Sequence, residues 1–509
     1  MSPSAQTGSR SQRAPGRPPR IAIIGAGPGG LCMGIRLRGA GYEDFEIIEK
    51  AGDVGGTWHH NRYPGCACDI PSHLYSYSFE PGFEWSRPYG TQREILRYLE
   101  HCSEKYGLRP HCRFGDAVER ADWDDAQAHW TLELTSGDAI TADVVVSAIG
   151  MFNEIVSPGI PGLDAFEGTC FHSARWNHDH DLSGRRVGVI GSAASAVQFV
   201  PEIVKSAAHV HLFQRTANWV APKQDEPYSA AQLERFRRDP HSVARSRRMI
   251  FESFGGPRSF DRVRDEMVAA CRANLAKVED PQTRARLLPD HPWGAKRPLL
   301  SNDYYPAFNR SNLELVTDPI ERVTPNGIVT TDGVERRLDT LILATGFATT
   351  KFLSSIDVTG RDGLSLSDAW RDGAIAYKGV VTAGFPNLFM LYGPNTNADS
   401  IITMIEYQVD HVLRWIERIT HDELAWIDVK SGPMAEYNDE IQRELESIEM
   451  WHARAHDYYR GPNGRIVTQW PRSMPEMEQT LASLDEAAYE CAARTQHGSM
   501  MPEPDEGID

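Results

Sequence analysis

Residues 20–30 read RIAIIGAGPGG, a short apolar run followed by closely spaced glycines. The run Ile21–Ile24 is typical of a buried β-strand, and apolar side chains recur at helical intervals in the residues that follow. In such a strand–turn–helix unit the first glycine makes the tight turn, the second admits a pyrophosphate to the backbone, and the third lets helix and strand pack closely. Gly25, Gly27 and Gly30 therefore predict a dinucleotide-binding unit.

The second half of the same signature follows this turn. The apolar run 45–48 predicts the next strand, and Glu49 stands directly after it. Glu49 lies about 20 residues beyond Gly30, where a carboxylate accepts hydrogen bonds from the hydroxyl groups of a ribose. The spacing predicts that Glu49 binds the nucleotide.

A second strand–turn–helix unit begins near residue 186. Its strand leads into Gly191-Ser-Ala-Ala-Ser-Ala196, in which only the first glycine of the pattern is kept. The next strand ends just before Arg215, about 20 residues after Ala196, where an NAD site would carry an acid. Because arginine attracts the 2′-phosphate that an acid repels, the second unit is predicted to bind NADP.

The remaining segments complete a two-domain pattern. Residues 225–290 are rich in Arg, Glu, Ala and Gln with helical spacing, which predicts a helical insertion that covers the active site. The apolar runs within 143–150 and 339–346 are expected as strands where the chain leaves each nucleotide domain. The predicted fold class is α/β, with two dinucleotide-binding (Rossmann-like) domains and a helical insertion.

The composition is that of an ordinary globular chain with an acidic surface. The 509 residues are too many for one hydrophobic core, 41% of them are hydrophobic, and the formal net charge is −17. Such acidity gives no general attraction to nucleic acid or anionic lipid. No run approaches the roughly 18 apolar residues of a membrane span or forms a secretory leader. We expect a cytoplasmic protein with disordered tails at 1–19 and 496–509.

The eight cysteines form no C-x-x-C pair. Zinc-ribbon sites and dithiol redox centres depend on such pairs, so no metal site is expected and a disulfide-reductase function is set aside. Reduced thiols are expected throughout.

The segment FEGTCFHSARWN, which begins at Phe166, carries a more specific pattern. It resembles the fingerprint of type I Baeyer–Villiger monooxygenases, F-x-G-x-x-x-H-x-x-x-W, through Phe166, Gly168, His172 and Trp176. Related N- and S-oxygenases usually lack the tryptophan, so Trp176 favours the Baeyer–Villiger branch. Asn177 stands where that branch has Pro or Asp. The resemblance implies that this segment links the two domains and couples NADP binding to their movement.

The resemblance extends from about residue 20 to residue 473. It rests on short motifs that occur in the order typical of the family. They are GGTW at 55–58, NRYPG at 61–65, CDIPSH at 68–73, KRP at 296–298, DYY at 303–305, GPNTN at 393–397 and TQWP at 468–471.

This resemblance implies a flavoprotein monooxygenase that binds FAD and NADPH. In this family NADPH reduces the flavin, O2 adds at its C4a carbon, and the resulting peroxyflavin inserts one oxygen atom next to a ketone carbonyl to give an ester or lactone. The partners implied are therefore O2 and a small organic substrate. The hard chemistry belongs to the flavin, and the protein holds, orients and shields it.

The resemblance also implies roles for individual residues. Arg297 would stabilise negative charge beside the flavin, and Asp69 would pair with Arg297 and orient it. Arg215, Thr216 and Lys296 would hold the 2′-phosphate of NADP. The full set of expected cofactor-binding residues is Gly25, Gly27, Gly30, Glu49, Gly56, Thr57, Trp58, Asp69, Tyr75, Gly191, Ser192, Ser195, Gln198, Arg215, Thr216, Lys296 and Asn395.

The expected domains follow from the same motifs. The FAD-binding domain is predicted to contain residues 20–152 and 347–495. The NADP-binding domain is predicted to contain residues 153–224 and 293–346 and to enclose a helical insertion of residues 225–292.

Two other functions stay open at this point. A heteroatom oxygenase that acts on an amine or a sulfide would use the same flavin chemistry, and Asn177 leaves room for it. A flavin-binding protein without turnover, such as a redox sensor, is suggested by the glycine-poor second turn. Retention of Arg215, Lys296 and Arg297 argues against that second alternative. These motifs are compatible with many substrates and with any oligomeric state.

Overall fold

Two five-stranded sheets organise the chain. The structure, a computed structural model, describes residues 18–452, 459–461 and 463–494. The predicted tails at 1–19 and 496–509 lie outside the described residues, apart from positions 18 and 19.

The first large sheet is parallel throughout and contains the first glycine-rich unit. The strand at its centre, Ile21–Ile24, is buried at all four positions, as expected for a strand covered on both faces. One edge strand returns from a distant part of the chain, so this domain is assembled from two separate segments. In spatial order the strands are Leu388–Met390, Val144–Ser147, Ile21–Ile24, Phe45–Glu49 and Cys112–Phe114.

The second large sheet is also parallel and contains the second unit. The fingerprint segment, expected only as a link between domains, contributes the edge strand Thr169–His172, which pairs with Thr340–Leu343. An edge of a parallel sheet offers unpaired backbone groups that an adjoining segment satisfies. In spatial order the strands are Leu313–Val316, His209–Phe213, Arg186–Ile190, Thr340–Leu343 and Thr169–His172.

Four smaller sheets pack around these two. A four-stranded sheet contains Asp357–Thr359, Val118–Asp124, His129–Leu134 and Ala139–Ala142. A three-stranded antiparallel sheet contains Ile320–Thr324, Gly327–Thr330 and Glu335–Arg337. Two-stranded pairs join Val220–Ala221 with Leu299–Leu300 and Leu424–Val429 with Tyr489–Ala493.

The helices cover the large sheets and fill the insertion. The longest helix, Ile401–His421, buries an apolar stripe and packs on the helix that follows the first glycine-rich turn. The α-helices of the described chain are Pro28–Gly39, Thr57–His60, Gln92–Lys105, Ala194–Ile203, Ala230–Arg238, Pro240–Ser253, Pro257–Leu275, Pro281–Arg286, Tyr304–Ala307, Leu366–Ala369, Ile401–His421, Ser431–Glu446 and Met474–Ala482.

The insertion lies against the first domain. Four of these helices fall between residues 225 and 292. From the second of them, Arg247 donates to carbonyl oxygens of the loop 73–76, the shortest bond being 2.7 Å, and pairs with Glu406 at 3.4 Å. The predicted α/β fold class is confirmed by the two parallel sheets, and the predicted helical insertion is confirmed by these four helices.

Candidate functional site

One large cavity runs between the two nucleotide units. Its volume is about 1250 Å³. Gly25, Gly27 and Glu49 of the first unit line it, and so do Gly191 and Arg215 of the second. The two dinucleotide sites predicted from separate parts of the sequence therefore open onto a common space.

The first turn is packed too closely for side chains. Gly25 has φ +106°, a conformation that favours glycine, and an added Cβ would lie 2.8 Å from the carbonyl oxygen of Ala148. A Cβ on Gly30 would lie 1.9 Å from the carbonyl oxygen of Gly25. Gly27 faces Gly56, whose own Cβ would lie 2.8 Å from the Cα of Gly27.

This turn fits the pyrophosphate of FAD. The helix Pro28–Gly39 has Gly27 as its N-cap, and no side chain caps it in the structure as described. Its first amides are therefore available to an anion, which the helix dipole also attracts. The Gly27–Gly56 contact keeps both walls at this point free of side chains, so phosphate groups have room to approach the backbone.

Glu49 ends the second strand of the first sheet and is only 5% exposed. Its two carboxylate oxygens accept hydrogen bonds from the backbone amides of Ala26 and Ala51, each at 2.8 Å. These bonds tie the glycine-rich turn to the end of the neighbouring strand. The same side chain lines the cavity at the position expected for a ribose-binding acid.

The second turn keeps the backbone geometry of the first. Gly191 has φ +104°, and a Cβ there would lie 2.4 Å from the carbonyl oxygen of Ala344. Ala193 is the N-cap of the helix Ala194–Ile203 and has φ −87°, which any residue adopts. The described residues provide no side-chain cap for this helix, so its first amides also face an open N-terminal end. The second turn therefore fits a dinucleotide although it has lost two glycines.

Residues around the second turn also connect the two domains. Gln198 accepts a hydrogen bond from the Tyr63 hydroxyl at 3.0 Å and donates to the Ala67 carbonyl at 2.9 Å. Ser192 donates to the Thr216 carbonyl at 3.4 Å. The cavity is lined by Ser192, Ser195, Gln198 and Thr216, all of which were predicted to bind NADP.

Arg215 and Lys296 place positive charge on the wall of the cavity. Both side chains line it. Arg215 is exposed, so its guanidinium is accessible to a ligand. Lys296 is half-buried and precedes Arg297 directly in the chain. Two cations at this place suit a phosphate group.

Asp69 and Arg297 meet where the two domains face each other. Arg297 donates to Asp69 Oδ2 through Nε at 2.8 Å and lies within 2.7 Å of the same oxygen through Nη2. Their side chains are 34% and 32% exposed, and both line the cavity. The structure thus brings together the two residues expected at the reaction centre.

Trp58 and Tyr75 form an aromatic wall of the same cavity. The Trp58 indole N–H donates to the Tyr75 hydroxyl at 3.1 Å, and the rings meet edge to face with centroids 5.7 Å apart. Burial raises the pKa of Tyr75 well above its usual value, so this hydroxyl stays protonated. Gly56 and Thr57 line the adjoining wall.

Two buried thiols also line this cavity. Cys66 and Cys68 are buried and line the cavity. Burial raises the pKa of Cys66 to about 12 and raises that of Cys68 as well. Since the thiolate is the reactive form, neither residue is suited to redox chemistry at neutral pH. All eight cysteines have free thiols in the structure.

The fingerprint residues lie away from the cavity wall. A Cβ on Gly168 would lie 2.6 Å from the Asp339 carbonyl oxygen, so this glycine permits the close approach of two strands. The buried His172 accepts a hydrogen bond from the Ala174 amide at 3.1 Å. Trp176 packs edge to face on Phe171, with centroids 5.2 Å apart. Phe166 is partly buried and packs against a core cluster that contains residues of the second sheet.

Asn395 holds a neighbouring segment. Its side-chain amide donates to the carbonyl oxygens of Ile466 and Gln469 at 2.8 and 3.1 Å. Asn395 is not among the residues that line the cavity. Its expected contact with a cofactor therefore remains a prediction, and its contacts in the structure are to the backbone of the 466–469 segment.

Sequence reasoning missed several titratable groups of the cavity wall, among them His60 and Asp399. Burial and the charge of Arg175 lower the pKa of His60 to about 4, so this imidazole is neutral at neutral pH. Asp399 also lines the cavity, and desolvation raises its pKa to about 6. Asp399 lies two residues after the GPNTN motif, but no sequence pattern distinguished it.

Among the residues that the structure describes, one group of side chains with metal-ligating atoms lies outside the cavity. His209, His211 and Glu314 occupy neighbouring strands of the second sheet. The Glu314 carboxylate accepts hydrogen bonds from Arg336, at 3.0 and 3.2 Å, and lies 2.7 Å from His211 Nδ1. Arg336 adds a positive charge that opposes a cation here.

No helix among the described residues is both long and apolar enough to cross a membrane.

The chain is similar to flavin-dependent oxidoreductases of known sequence. Residues 22–238 match the pyridine nucleotide-disulphide oxidoreductase family. A Baeyer–Villiger monooxygenase of Streptomyces coelicolor is 39% identical over 504 residues, 96% of each chain. One of Pseudomonas aeruginosa is 41% identical, covering 92% of this chain and 91% of its own. A phenazine N-monooxygenase of Lysobacter antibioticus is 33% identical over 85% of this chain and 86% of its own.

Solved structures show the same relationship. An oxidised steroid monooxygenase bound to NADP has a TM-score of 0.85 and 31% identity, covering 94% of this chain and all (100%) of its own. The complex of OTEMO with FAD and NADP has a TM-score of 0.84 and 28% identity over the same shares. The chain belongs to the Baeyer–Villiger monooxygenases, which are NADPH-dependent flavin oxidoreductases that use O2. The predicted family, fold class and cofactors, FAD and NADPH, are confirmed.

Proposed function

We propose that this protein oxidises a ketone to an ester or lactone in the common cavity, with Asp69 and Arg297 at the reaction centre. The observation that carries the proposal is the Asp69–Arg297 pair, because it lies on the cavity wall between the two nucleotide turns. Bound FAD, once reduced by NADPH, supplies the activation of O2. The protein supplies the charge, orientation and enclosure around it.

The role proposed for Arg297 is electrostatic. Its guanidinium keeps its charge at any accessible pH and would stabilise negative charge that develops on oxygen during the transfer. Asp69 holds the guanidinium through both Nε and Nη2, which fixes its plane. A fixed donor needs no reorganisation when the charge appears, and this is the main advantage of a preorganised site. Asp69 is therefore proposed as a positioning residue.

FAD would be held along the first unit. Gly25, Gly27 and Gly30 would bring the helix amides to the pyrophosphate, and Glu49 would accept from the ribose. The side chains proposed to enclose the rest of the cofactor are those of Thr57, Trp58, Asp69 and Tyr75, with Gly56 opposite the turn and Asn395 nearby. This proposal is supported by the fact that all of these residues except Gly30 and Asn395 line the cavity.

NADP would be held along the second unit. Gly191, Ser192, Ser195 and Gln198 would approach its pyrophosphate. The 2′-phosphate is proposed to be bound by Arg215, Thr216 and Lys296, because all three line the cavity and provide two cations and a hydroxyl group. His172 and Trp176, which lie outside the cavity with Phe166 and Gly168, are proposed to transmit domain movement.

Oxygenation of a nitrogen or sulfur atom is the second candidate. It is favoured by the phenazine N-monooxygenase, which is 33% identical over most of its length. The same cavity and cofactors would serve either reaction. Competition between a ketone and an amine or a sulfide, followed by product analysis, decides between them.

We also propose that the protein acts in the cytoplasm, on small molecules and O2. The free thiols support a reducing compartment, where cysteines are kept reduced.

The proposed function is tested with the variants Arg297→Ala, Arg297→Lys and Asp69→Ala. Arg297→Ala is expected to lower the rate of ester formation at least about 100-fold, which is the usual effect of removing a preorganised donor. Arg297→Lys would restore part of this loss, because it keeps the charge without the rigid fork. The measurements are the rate of ester formation and the moles of ester formed per mole of NADPH, with anaerobic flavin reduction followed separately.

A matched control comes from another Arg–Asp pair. Arg186 lies 2.7 Å from Asp339 on the second sheet, and neither residue lines the cavity. Arg186→Ala should leave the ester yield unchanged. Full ester yield in Arg297→Ala would contradict the proposed role. If Arg297→Ala forms no ester but its flavin is reduced normally by NADPH under anaerobic conditions, the defect lies in a step after NADPH binding.

A further inference from the structure

Asp399 is a carboxylate of the cavity wall that the roles proposed above leave unexplained. It precedes the helix Ile401–His421 and lines the cavity. Ile401 and Ile405, one helical turn apart, line the same cavity. The wall formed by the start of this helix is therefore apolar apart from one charged group.

The other carboxylates that line the cavity have protein partners or are exposed. Glu49 accepts hydrogen bonds from two backbone amides. Asp69 is paired with Arg297. Asp318 lies at an exposed position. Asp399 thus differs from them, because it is half-buried and its own hydrogen bond is long.

The partner of Asp399 comes from the helical insertion. The Gly256 amide donates to Asp399 Oδ2 at 3.3 Å, which is long for a hydrogen bond. Gly256 is the N-cap of the helix Pro257–Leu275. Desolvation raises the pKa of Asp399 to about 6, although this hydrogen bond and the charge of Arg297 act in the opposite direction. An additional donor would therefore stabilise the carboxylate.

We propose that Asp399 recognises a hydrogen-bond donor, a hydroxyl or an amino group, on the body of the substrate. This inference rests on the proposed function and defines its substrate class as an otherwise apolar ketone that carries one such group. Ile401 and Ile405 would contact the apolar part. A carboxylate only accepts hydrogen bonds, so it selects donors. A substrate without the donor would cover the half-buried Asp399 and leave it poorly paired, and this penalty produces discrimination.

The contact with Gly256 also allows a purely structural role, in which Asp399 only caps the helix Pro257–Leu275. The two roles predict different results. A cap affects stability, and its loss would change the binding of all ketones alike. Recognition affects only those ketones that carry the donor.

Three probes separate these roles: cyclohexanone, 4-hydroxycyclohexanone and 4-aminocyclohexanone. Their dissociation constants are measured on the FAD-loaded enzyme with NADP+ from changes in flavin absorbance, and their products are measured after turnover. The wild type is expected to bind the hydroxyl and amino probes at least about tenfold more tightly than cyclohexanone. This is the gain in affinity that a hydrogen bond to a charged group usually provides.

Two substitutions sharpen the comparison. Asp399→Leu should abolish the preference and keep the binding of cyclohexanone. Asp399→Asn should keep part of the preference for the hydroxyl probe, because its amide oxygen still accepts. The same variant should lose the preference for the amino probe, because a neutral amide does not attract an ammonium group.

Ser400→Ala is the matched control. The Ser400 hydroxyl accepts from the Thr403 amide at 3.5 Å and caps the neighbouring helix. This variant should lower Tm and retain the preference among the probes. Equal binding of the three probes by the wild type, or a preference that survives in Asp399→Leu, overturns the proposal. A binding preference without any ester product would instead contradict ketone oxidation and leave the Asp399 subsite standing.

Discussion

The two nucleotide-binding turns have similar backbone conformations but differ in the side chains that they tolerate. Gly25 and Gly191 have φ values of +106° and +104°. In both, a Cβ would lie less than 3 Å from a carbonyl oxygen, at 2.8 and 2.4 Å respectively. Gly27 and Ala193, the N-caps of the following helices, have φ values of −77° and −87°. Backbone conformation therefore demands glycine only at the first position of each turn.

The two turns differ in how closely the helix that follows each of them packs against it. A Cβ on Gly30 would lie 1.9 Å from the Gly25 carbonyl oxygen. Ala196 occupies the corresponding place in the second unit, carries a Cβ and is fully buried. The second helix thus leaves room for a methyl group that the first excludes. The first glycine of such a motif is required by its backbone conformation. The third is required only where the helix packs closely on the turn.

The nucleotide-binding side chains differ in a related way. Glu49 is buried and holds two backbone amides, so it is part of the folded unit. Arg215 is exposed. Loss of Glu49 should damage the fold as well as FAD binding, whereas loss of Arg215 should affect NADPH alone.

Gly30→Ala should have the largest effect. The added methyl group overlaps a backbone atom that cannot move without opening the turn, so the free energy of unfolding should fall by about 3 kcal/mol or more. The protein should also purify without FAD, which the ratio of flavin to protein absorbance measures. Gly39→Ala is the control, because a Cβ there meets nothing within 4 Å on the same helix. Full FAD content in Gly30→Ala would show that the first turn tolerates a side chain.

Glu49→Ala should have the next largest effect. Two buried amides, those of Ala26 and Ala51, would lose their acceptor, which costs about 2–4 kcal/mol in total. Urea unfolding of the FAD-free protein measures this loss independently of the ligand. Glu49→Gln keeps one carbonyl acceptor and should lose about half as much. An unchanged unfolding midpoint in both variants would mean that Glu49 acts on the ligand only.

Arg215→Ala should change selectivity without changing stability. Loss of a charge-assisted hydrogen bond to the 2′-phosphate should lower kcat/KM for NADPH about 10- to 100-fold. The value for NADH should stay nearly constant, because NADH lacks that phosphate. Steady-state kinetics with both nucleotides provide the ratio, and urea unfolding provides the stability control. A parallel loss with NADH would contradict this role.

Ala196→Gly should have the smallest effect. Restoring the third glycine removes a methyl group from a site that accommodates it and adds backbone entropy to the unfolded chain. The free energy of unfolding should fall by about 1 kcal/mol, with the affinity for NADP+ unchanged. Calorimetric unfolding and a binding titration measure the two quantities. A clear gain in NADP+ affinity would show that Ala196 weakens NADP+ binding.

Much of the fold was predictable because its signals are local. The strand Ile21–Ile24, its glycine turn and the following helix are specified within a few residues by hydrophobic pattern and backbone sterics. The second unit was predictable without its glycines, because its strands and Arg215 kept their spacing. The edge strand Thr169–His172 was not predicted, since pairing at a sheet edge depends on a strand far away in the chain.

The candidate site was predictable only in part. Asp69 and Arg297 were matched by resemblance to a family, and no local pattern connects two residues 228 positions apart. Asn395 belongs to a clear motif, but its side chain bonds to the backbone of the 466–469 segment. Asp399 had no distinguishing pattern and became visible only as part of the cavity wall.

By itself, the sequence determined that this protein has two dinucleotide units, with an acid at the first and an arginine at the second, because strand period, helix period and turn sterics act over short distances. The tertiary structure alone decided that both units open onto one cavity and that the insertion reaches Asp399 through Gly256. The physical reason is that domain packing buries surfaces from distant segments together, and hydrophobic burial is non-directional. The spacing of residues along the chain therefore does not predict which distant segments pack against each other.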